Sequence, residues 1–168
     1  MGKIYVNTSA VKKIYVGTVA VKKVYVGTTL CWAASETGTW NVGSYYTKFG
    51  GNNYQVDIYV TATEKNYAEN KTTIKVEIGF RSLGNYTISS STTKTGSITV
   101  DGQTKSFTYN CSISAGAYKV LNTSSYTISS ASGKTITISA SLPFGVTVSG
   151  VGTINTISPS HSVKLPTL

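Results

Sequence analysis

The sequence predicts an all-β protein, an antiparallel and jelly-roll-like β-sandwich that follows a short N-terminal arm of β-repeats. The first observation is a series of short runs in which β-branched or aromatic residues alternate with polar ones. Gly, Asn, Asp and Ser separate these runs at intervals of about 8–12 residues. The second is composition: charged residues make up only 12% of the 168, against a usual share of ~25%, and Ser and Thr supply the polarity instead. These two residue types favour strands and turns over helices.

The arm, residues 1–31, is a repeat of ten residues. Its three units read GKIYVNTSAV, KKIYVGTVAV and KKVYVGTTLC. Each has an Ile/Val-Tyr-Val core followed by Asn-Thr or Gly-Thr, so each predicts strand, turn, strand. Neither face of such strands is wholly apolar. The arm therefore either packs on the main domain as a small meander or adds strands to the sheet of another chain, and the marginal stability of isolated hairpins favours the second.

The arm is also basic and contributes to the formal net charge of +9. Lysines on exposed strands protect sheet edges from aggregation, and they also suit docking on an acidic protein or on an anionic polymer. Specific nucleic-acid binding is not expected, because the chain has one arginine, no helix to enter a groove and no recognisable binding signature. No acidic residue precedes Glu36, and the lysines of the arm are Lys3, Lys12, Lys13, Lys22 and Lys23.

Residues 32–53 are rich in Gly, Asn and Ser and are predicted to be a junction between the arm and the sandwich. The junction contains a concentration of aromatic side chains. Such side chains can stack on sugars, although aromatic residues more often pack in a core or between domains, so packing is the favoured interpretation. No ligand-binding residue is assigned beyond these candidates. The aromatic residues are Trp32, Trp40, Tyr45, Tyr46 and Phe49.

The sandwich is predicted over residues 54–168. The Asp101-Gly102 pair between two alternating runs is a strong hairpin signal. No proline precedes Pro143, so none of the earlier strands is barred from the middle of a sheet. The predicted strands are 54–62, 73–81, 86–90, 96–100, 105–111, 118–121, 126–129, 135–140 and 146–149.

Catalysis is not expected, so the chain is interpreted as a non-enzyme. The single histidine, His161, lies among Ser and Pro and is predicted to be an exposed loop residue and not a member of a catalytic triad. Paired carboxylates for glycoside cleavage would have to come from six acidic residues, which are expected to be solvated surface, with Glu77 at an outward strand position. The six are Glu36, Asp57, Glu64, Glu69, Glu77 and Asp101.

The remaining expectations concern disulfides, metal sites, cofactors and targeting segments, none of which the sequence predicts. Cys31 and Cys111 are 80 positions apart and are expected to be reduced and partly buried thiols. With one histidine they do not have the spacing of a metal site, and no cofactor is predicted. We expect neither a signal peptide nor a membrane-spanning segment, since no long apolar run is present.

Two features resemble one group of proteins. The KKIYVGT decads resemble N-terminal repeats of tail and baseplate proteins of long-tailed, siphovirus-type phages that infect Gram-positive bacteria. The body is similar to the β-sandwich domain of phage minor structural proteins. The segments that carry this second likeness are 70–77, 96–103, 132–140 and 152–157.

The resemblance implies a virion component that is assembled into the tail in the host cytoplasm and has no catalytic residues. Its partners would be other tail or baseplate proteins, with the arm as the attachment or oligomerisation device. The sandwich also resembles the structural domain of phage receptor-binding proteins, which commonly form trimers. The alternative is an adsorption module that binds cell-wall carbohydrate or an anionic wall polymer through the aromatic junction or the Lys-rich arm.

Overall fold

The computed structural model describes residues 5–6, 9–10, 13–26 and 29–168, with side chains over 13–25 and 34–168. This part of the chain contains fifteen strands and no helix, so the predicted all-β sandwich is confirmed. The strands are β1 (Tyr5–Val6), β2 (Ser9–Ala10), β3 (Ile14–Val16), β4 (Val19–Val21), β5 (Lys23–Val26), β6 (Thr29–Ala33), β7 (Ser35–Phe49), β8 (Tyr54–Asn66), β9 (Lys71–Ser82), β10 (Thr93–Val100), β11 (Gln103–Asn110), β12 (Tyr118–Ser129), β13 (Thr135–Val148), β14 (Gly152–Ile157) and β15 (Ser160–Lys164).

Each decad of the arm forms one antiparallel hairpin. The three pairs β1–β2, β3–β4 and β5–β6 are separate two-stranded sheets. In all three, the repeated tyrosine is paired with the residue five positions later, and the next valine with the residue three positions later. In the second decad Gly17 has a φ of +62°, which suits the two-residue Gly-Thr turn that the sequence predicts. The strand, turn, strand prediction is confirmed there.

One sheet of the sandwich has the order β12-β9-β8-β7 and is antiparallel throughout. Its edge strand β7 covers most of the predicted 32–53 junction, so the sandwich begins at Ser35. The alternation of β7 is interrupted, because its register with β8 shifts between Thr37 and Trp40 and again between Asn41 and Gly43. Because of these bulges, strict alternation of apolar and polar residues does not predict this fifteen-residue strand.

The other sheet has the order β11-β10-β13, and the far edge of β13 is shared by two strands. The first half of β13 pairs with β15, and the second half pairs with β14. Pro143 lies inside β13, next to the register shift that ends at Val146 and beyond the last residue that pairs with β10, Ser141. Proline is tolerated at such a site because its missing N–H interrupts no pairing on that side.

The two sheets enclose a core built from the inward residues of each strand. At one end of the sandwich, five aromatic rings lie with their centroids 5.0–6.0 Å apart and mix stacked, tilted and edge-on arrangements. Aromatic pairs favour such geometries over face-to-face contact. The five are Phe49, Tyr54, Phe80, Tyr109 and Phe144.

Other differences from the predicted strands have local causes. Residues 86–90 are not a strand, because only Ile88 forms a bridge there, to Ile113. The runs 118–121 and 126–129 are two ends of one strand, β12, bulged between Val120 and Asn122. The runs 135–140 and 146–149 likewise belong largely to β13. Strands β14 and β15 were not predicted, since few apolar residues alternate in them.

Candidate functional site on the outer face of the four-stranded sheet

The outer face of the β12-β9-β8-β7 sheet carries a group of polar and aromatic side chains that face away from the core. Alternation along β8 places Val56 and Ile58 in the core, so Gln55 and Asp57 point outward. The register then places Tyr46 and Gly79 on either side of Asp57, on the two neighbouring strands. We call the following residues the outer-face cluster: Tyr46, Gln55, Asp57, Glu77, Arg81 and Tyr118.

Asp57 is the centre of the cluster and is only 4% exposed. Gln55 donates a hydrogen bond from Nε2 to Asp57 Oδ1. Arg81 donates from Nε to Asp57 Oδ2 across 3.4 Å. Burial lowers the pKa of the Arg81 guanidinium, but the charge of Asp57 and its hydrogen bond outweigh this and raise that pKa above its ordinary value. A charge-assisted contact therefore holds the one arginine of the chain against the sheet.

Tyr118 lies across Gly79. A Cβ added at Gly79 would fall 2.5 Å from Tyr118 Cε2, so only a glycine leaves room for the ring. The Tyr118 hydroxyl donates to Glu77 Oε1 across 3.0 Å, and the guanidinium carbon of Arg81 lies 4.9 Å from the ring centroid. Burial, with the nearby Glu77 carboxylate, raises the pKa of Tyr118. The Tyr118 ring is thus held by contacts on three sides, yet Tyr118 is 39% exposed.

Tyr118 also lines an open cleft of about 570 Å³ next to the cluster. The cleft is lined by the chain segments around Ile88 and Ile113. These two residues form a bridge with two backbone hydrogen bonds of 2.9 Å. Lys119 is fixed at its border because its Nζ donates to the backbone oxygen of Asn110 across 2.7 Å. Hydroxyl groups dominate the polar lining, which comes from Thr87, Ser89, Ser112 and Ser114.

The aromatic residues of the predicted junction are not brought together in one site. Trp40 packs against the core, with the Lys65 ammonium 4.5 Å from a ring centroid. Phe49 and Tyr45 also pack against the core, so the packing interpretation is confirmed for these three. Tyr46 alone among them belongs to the outer-face cluster, at 61% exposure. The side chain of Trp32 lies outside the described residues.

His161 is not the exposed loop residue that the sequence predicts. It lies in β15 and is half-buried, with its ring stacked on Tyr45 at a centroid distance of 5.1 Å. Its Nε2 lies 3.4 Å from the hydroxyl oxygen of Thr47. The sequence does not predict this strand, because the serines around His161 give only a weak alternation of apolar and polar side chains. The histidine joins the edge of one sheet to the edge of the other.

The prediction of solvated surface is wrong for Asp57, which is buried in the middle of β8. Glu77 lies on the outward face as predicted. Glu36 accepts a 2.7 Å hydrogen bond from the Tyr67 hydroxyl, and Asp101 accepts one of 2.7 Å from Lys134 Nζ. Within the described ranges, no three His, Cys, Asp or Glu residues are grouped to hold a metal ion.

Cys111 is a thiol outside any disulfide and is fully buried, whereas the sequence predicts a partly buried one. The side chain of Cys31 falls outside the described residues. Among the residues whose structure is described, no helix has the length and apolar character needed to cross a membrane.

The sequence analysis does not identify the outer-face cluster, although one residue type carries a local signal for part of it. An isolated glycine inside a strand pattern, such as Gly79 in β9, often marks a close approach of another group to the backbone. Here that group is the Tyr118 ring, 39 residues away in the sequence. Nothing local connects the two positions, since their proximity depends on the pairing of β9 with β12.

No family model, curated protein or solved structure matches the chain.

Proposed function

We propose that the chain is a non-enzymatic structural protein of the tail or baseplate of a long-tailed phage of Gram-positive bacteria, attached to its neighbours by the arm. The likeness of the decads and of the sandwich to such proteins supports this. The observation that carries the proposal is the contrast between a closed sandwich and three repeated hairpins that precede it. A rigid module with a repeated, separately folded extension suits a component of a larger assembly.

The second hairpin, β3–β4, has apolar side chains that are largely exposed. Val16 is 72% exposed, and Tyr15 and Val19 are also more than half exposed. A two-stranded hairpin is marginally stable alone in water, so it gains stability when a partner covers such side chains or extends its strands. The lysines that flank the hairpins favour an acidic partner.

The base of the arm is fixed on the sandwich. The backbone N–H of Ala34 donates to the carbonyl of Lys22 across 2.8 Å, and the N–H of Tyr67 donates to the carbonyl of Ala34 across 3.1 Å. The Lys22 ammonium also lies 4.7 Å from the Tyr67 ring centroid and 4.0 Å from Glu36 Oε1. A deletion for testing the arm should therefore end before Lys22.

The test is the incorporation of variants into phage particles, measured by quantitative mass spectrometry of purified particles. Deletion of residues 1–21 removes two hairpins and keeps the fixed base, and we expect incorporation to be lost while the sandwich keeps its melting temperature. The double variant Val16→Thr, Val19→Thr should reduce incorporation in the same direction. Val120→Thr, which makes the same change at an exposed valine of the sandwich, is the matched control. Normal incorporation of the deletion variant would refute attachment through the two hairpins that the deletion removes.

The proposal includes localisation and partners. The protein would be assembled into the virion tail in the host cytoplasm, and its partners would be other tail or baseplate proteins or further copies of itself, for example in a trimer. Light scattering of the purified full chain and of the 1–21 deletion tests self-association. A trimer that persists in the deletion variant would place its interface on the sandwich or on the retained hairpin β5–β6.

A second candidate function is adsorption, in which the protein binds cell-wall carbohydrate or an anionic wall polymer. The exposed tyrosines and the fixed polar groups of the outer-face cluster favour it. Binding to intact Gram-positive cell walls should be measured across a salt titration, because salt screens the non-specific attraction of a +9 chain. Saturable binding that survives salt supports a specific site, whereas binding that disappears with salt leaves only charge attraction.

A further inference from the structure

We infer that the outer-face cluster, together with the cleft that shares Tyr118, is a binding site for a neutral saccharide chain. This inference rests on the adsorption function proposed above and names the residues and the ligand class for it. It does not depend on the attachment role of the arm.

The two exposed tyrosines provide apolar surfaces of the kind on which a sugar ring packs. Tyr46 and the Gly79 position that Tyr118 covers lie on β7 and β9, with one strand between them. Two strand spacings amount to about 10 Å. The tyrosines therefore flank a strip of sheet wide enough for more than one sugar unit, and Asp57 lies at its centre.

The polar groups between the tyrosines are held in place before any ligand arrives. Gln55 and Arg81 are both hydrogen-bonded to the Asp57 carboxylate, and the Tyr118 hydroxyl is bonded to Glu77. The Arg81 side chain is 40% exposed and keeps further N–H donors for hydroxyl acceptors. Groups that are already fixed lose little freedom on binding, which favours affinity for a polar ligand.

The charges of the cluster favour a neutral ligand. Arg81 is paired with Asp57, so the centre of the cluster offers no unpaired cation for a phosphate or carboxylate. The nearest lysine on this face in the register, Lys48, lies opposite Gln55 at the edge of the cluster. Glu77, whose carboxylate accepts from Tyr118, adds negative charge that disfavours an anion. Hydroxyl groups of a sugar can donate to the Glu77 carboxylate and accept from Arg81 at the same site.

The cleft extends the site. Its volume of about 570 Å³ is within the range of small-molecule pockets, and Tyr118 forms one wall. Thr87, Ser89 and Ser114 line it with hydroxyl groups, and its lining includes no carboxylate. Its one charged group is the Lys119 ammonium, which donates to the backbone oxygens of Asn110 and Ser112. A chain of sugar units that stacks on Tyr118 could therefore continue into a lining that suits further hydroxyl groups.

The test is calorimetric titration of the full-length protein with two probes, purified neutral polysaccharide from Gram-positive cell walls and purified teichoic acid, at low and at high salt. Tyr118→Ala and Tyr46→Ala remove one stacking surface each. Tyr15→Ala, which removes an exposed tyrosine from the arm, is the matched control. Melting curves establish that each variant is folded, and light scattering establishes that its oligomeric state is unchanged.

We expect the neutral polysaccharide to bind saturably at both salt concentrations. Each cluster variant should weaken binding by about tenfold, as expected for the loss of an aromatic contact together with its buried area, while Tyr15→Ala should bind like the original protein. Absence of saturable binding to the neutral polysaccharide, or equal binding by all three variants, would overturn the inference. So would a preference for teichoic acid that salt abolishes, or a change of oligomeric state in the cluster variants, which would identify the face as a protein interface. Incorporation into particles, measured on the same variants, reports separately on the structural role.

Discussion

Replacement of Gly79 by alanine should change the stability of the protein in opposite directions depending on residue 118. The added Cβ would lie 2.5 Å from Cε2 of the Tyr118 ring, which is closer than real Cβ contacts come. The neighbour is the far end of a side chain and not backbone, so the ring will move and the strands will keep their pairing. The cost is then the loss of the contacts that hold the ring.

The magnitude follows from those contacts. The hydrogen bond of 3.0 Å from Tyr118 to Glu77 is worth about 0.5–1.5 kcal/mol. The contact with Arg81 at 4.9 Å adds about 0.5–1 kcal/mol at a partly exposed site. Alanine in place of glycine inside a strand returns roughly 0.5–1 kcal/mol. Gly79→Ala should therefore destabilise the original protein by about 1 kcal/mol, but stabilise a Tyr118→Ala variant by roughly 0.5–1 kcal/mol.

The assay is thermal and urea unfolding of the original protein, the two single variants and the double variant. For a chain of this size, 1 kcal/mol corresponds to about 2–4 °C in melting temperature. Gly79→Ala should lower the melting temperature in the presence of Tyr118 and raise it in its absence. A shift of the same sign and size in both backgrounds would refute the contact between Gly79 and Tyr118, and with it the fixed orientation of the ring in the outer-face cluster.

Three further predictions concern buried groups. Arg81→Gln should lower the free energy of unfolding, measured in urea, by about 1–2 kcal/mol, because it removes the charged partner of the buried Asp57. The double variant Arg81→Gln, Asp57→Asn should lose less stability than the sum of the two single variants. In a Cys31→Ser variant, Cys111 should react with a thiol reagent only as fast as the protein unfolds, since it is fully buried; fast labelling under native conditions would contradict this burial. Burial raises the pKa of Tyr109 in the folded state, so its contribution to stability should be complete below the ordinary tyrosine pKa of ~10 and should decline as pH rises above it, which denaturant unfolding at a series of alkaline pH values would measure.

The sequence is sufficient to predict the strands whose inward residues are strongly apolar. Val56, Ile58 and Val60 alternate with polar residues along β8, and the same holds for Ile74, Val76 and Ile78 along β9, so both are predicted close to their observed bounds. Strands β14 and β15 each bury only one side chain completely. Their place in the sheet is determined by pairing with β13, which no short window of sequence contains.

The sequence does not predict the outer-face cluster, for a different reason. Its members come from β7, β8, β9 and β12, and their proximity depends on three strand registers at once. Bulges interrupt all three registers, in the first half of β7, near the start of β12 and between Ala62 and Glu64 of β8. Because a shift of one residue moves a side chain to the opposite face, Tyr46 cannot be assigned to the outer face, or Tyr45 to the inner one, before the bulges are known.

The strand edges of the sandwich and of the arm differ, and the difference bears on the proposed attachment through the arm. Along β12, side chains of β11 reach across to the edge carbonyls: Lys105 Nζ donates to Ser125 at 2.6 Å, and Gln103 Nε2 donates to Thr127 at 3.0 Å. Along β7, His161 stacks on Tyr45 and lies 3.4 Å from the Thr47 hydroxyl, so it covers one stretch of the opposite edge. Sheet edges covered in this way are poor templates for another chain's strand.

The hairpins of the arm pair in the described part of the chain only within themselves, so each retains two edges. Lysine next to a hairpin opposes indiscriminate pairing between like chains, because both surfaces would be positive. It does not oppose pairing with an acidic edge. A sandwich with one partly covered sheet and an arm with open, positively charged edges would together favour strand addition at the arm, which is the arrangement that the proposed attachment through the arm requires.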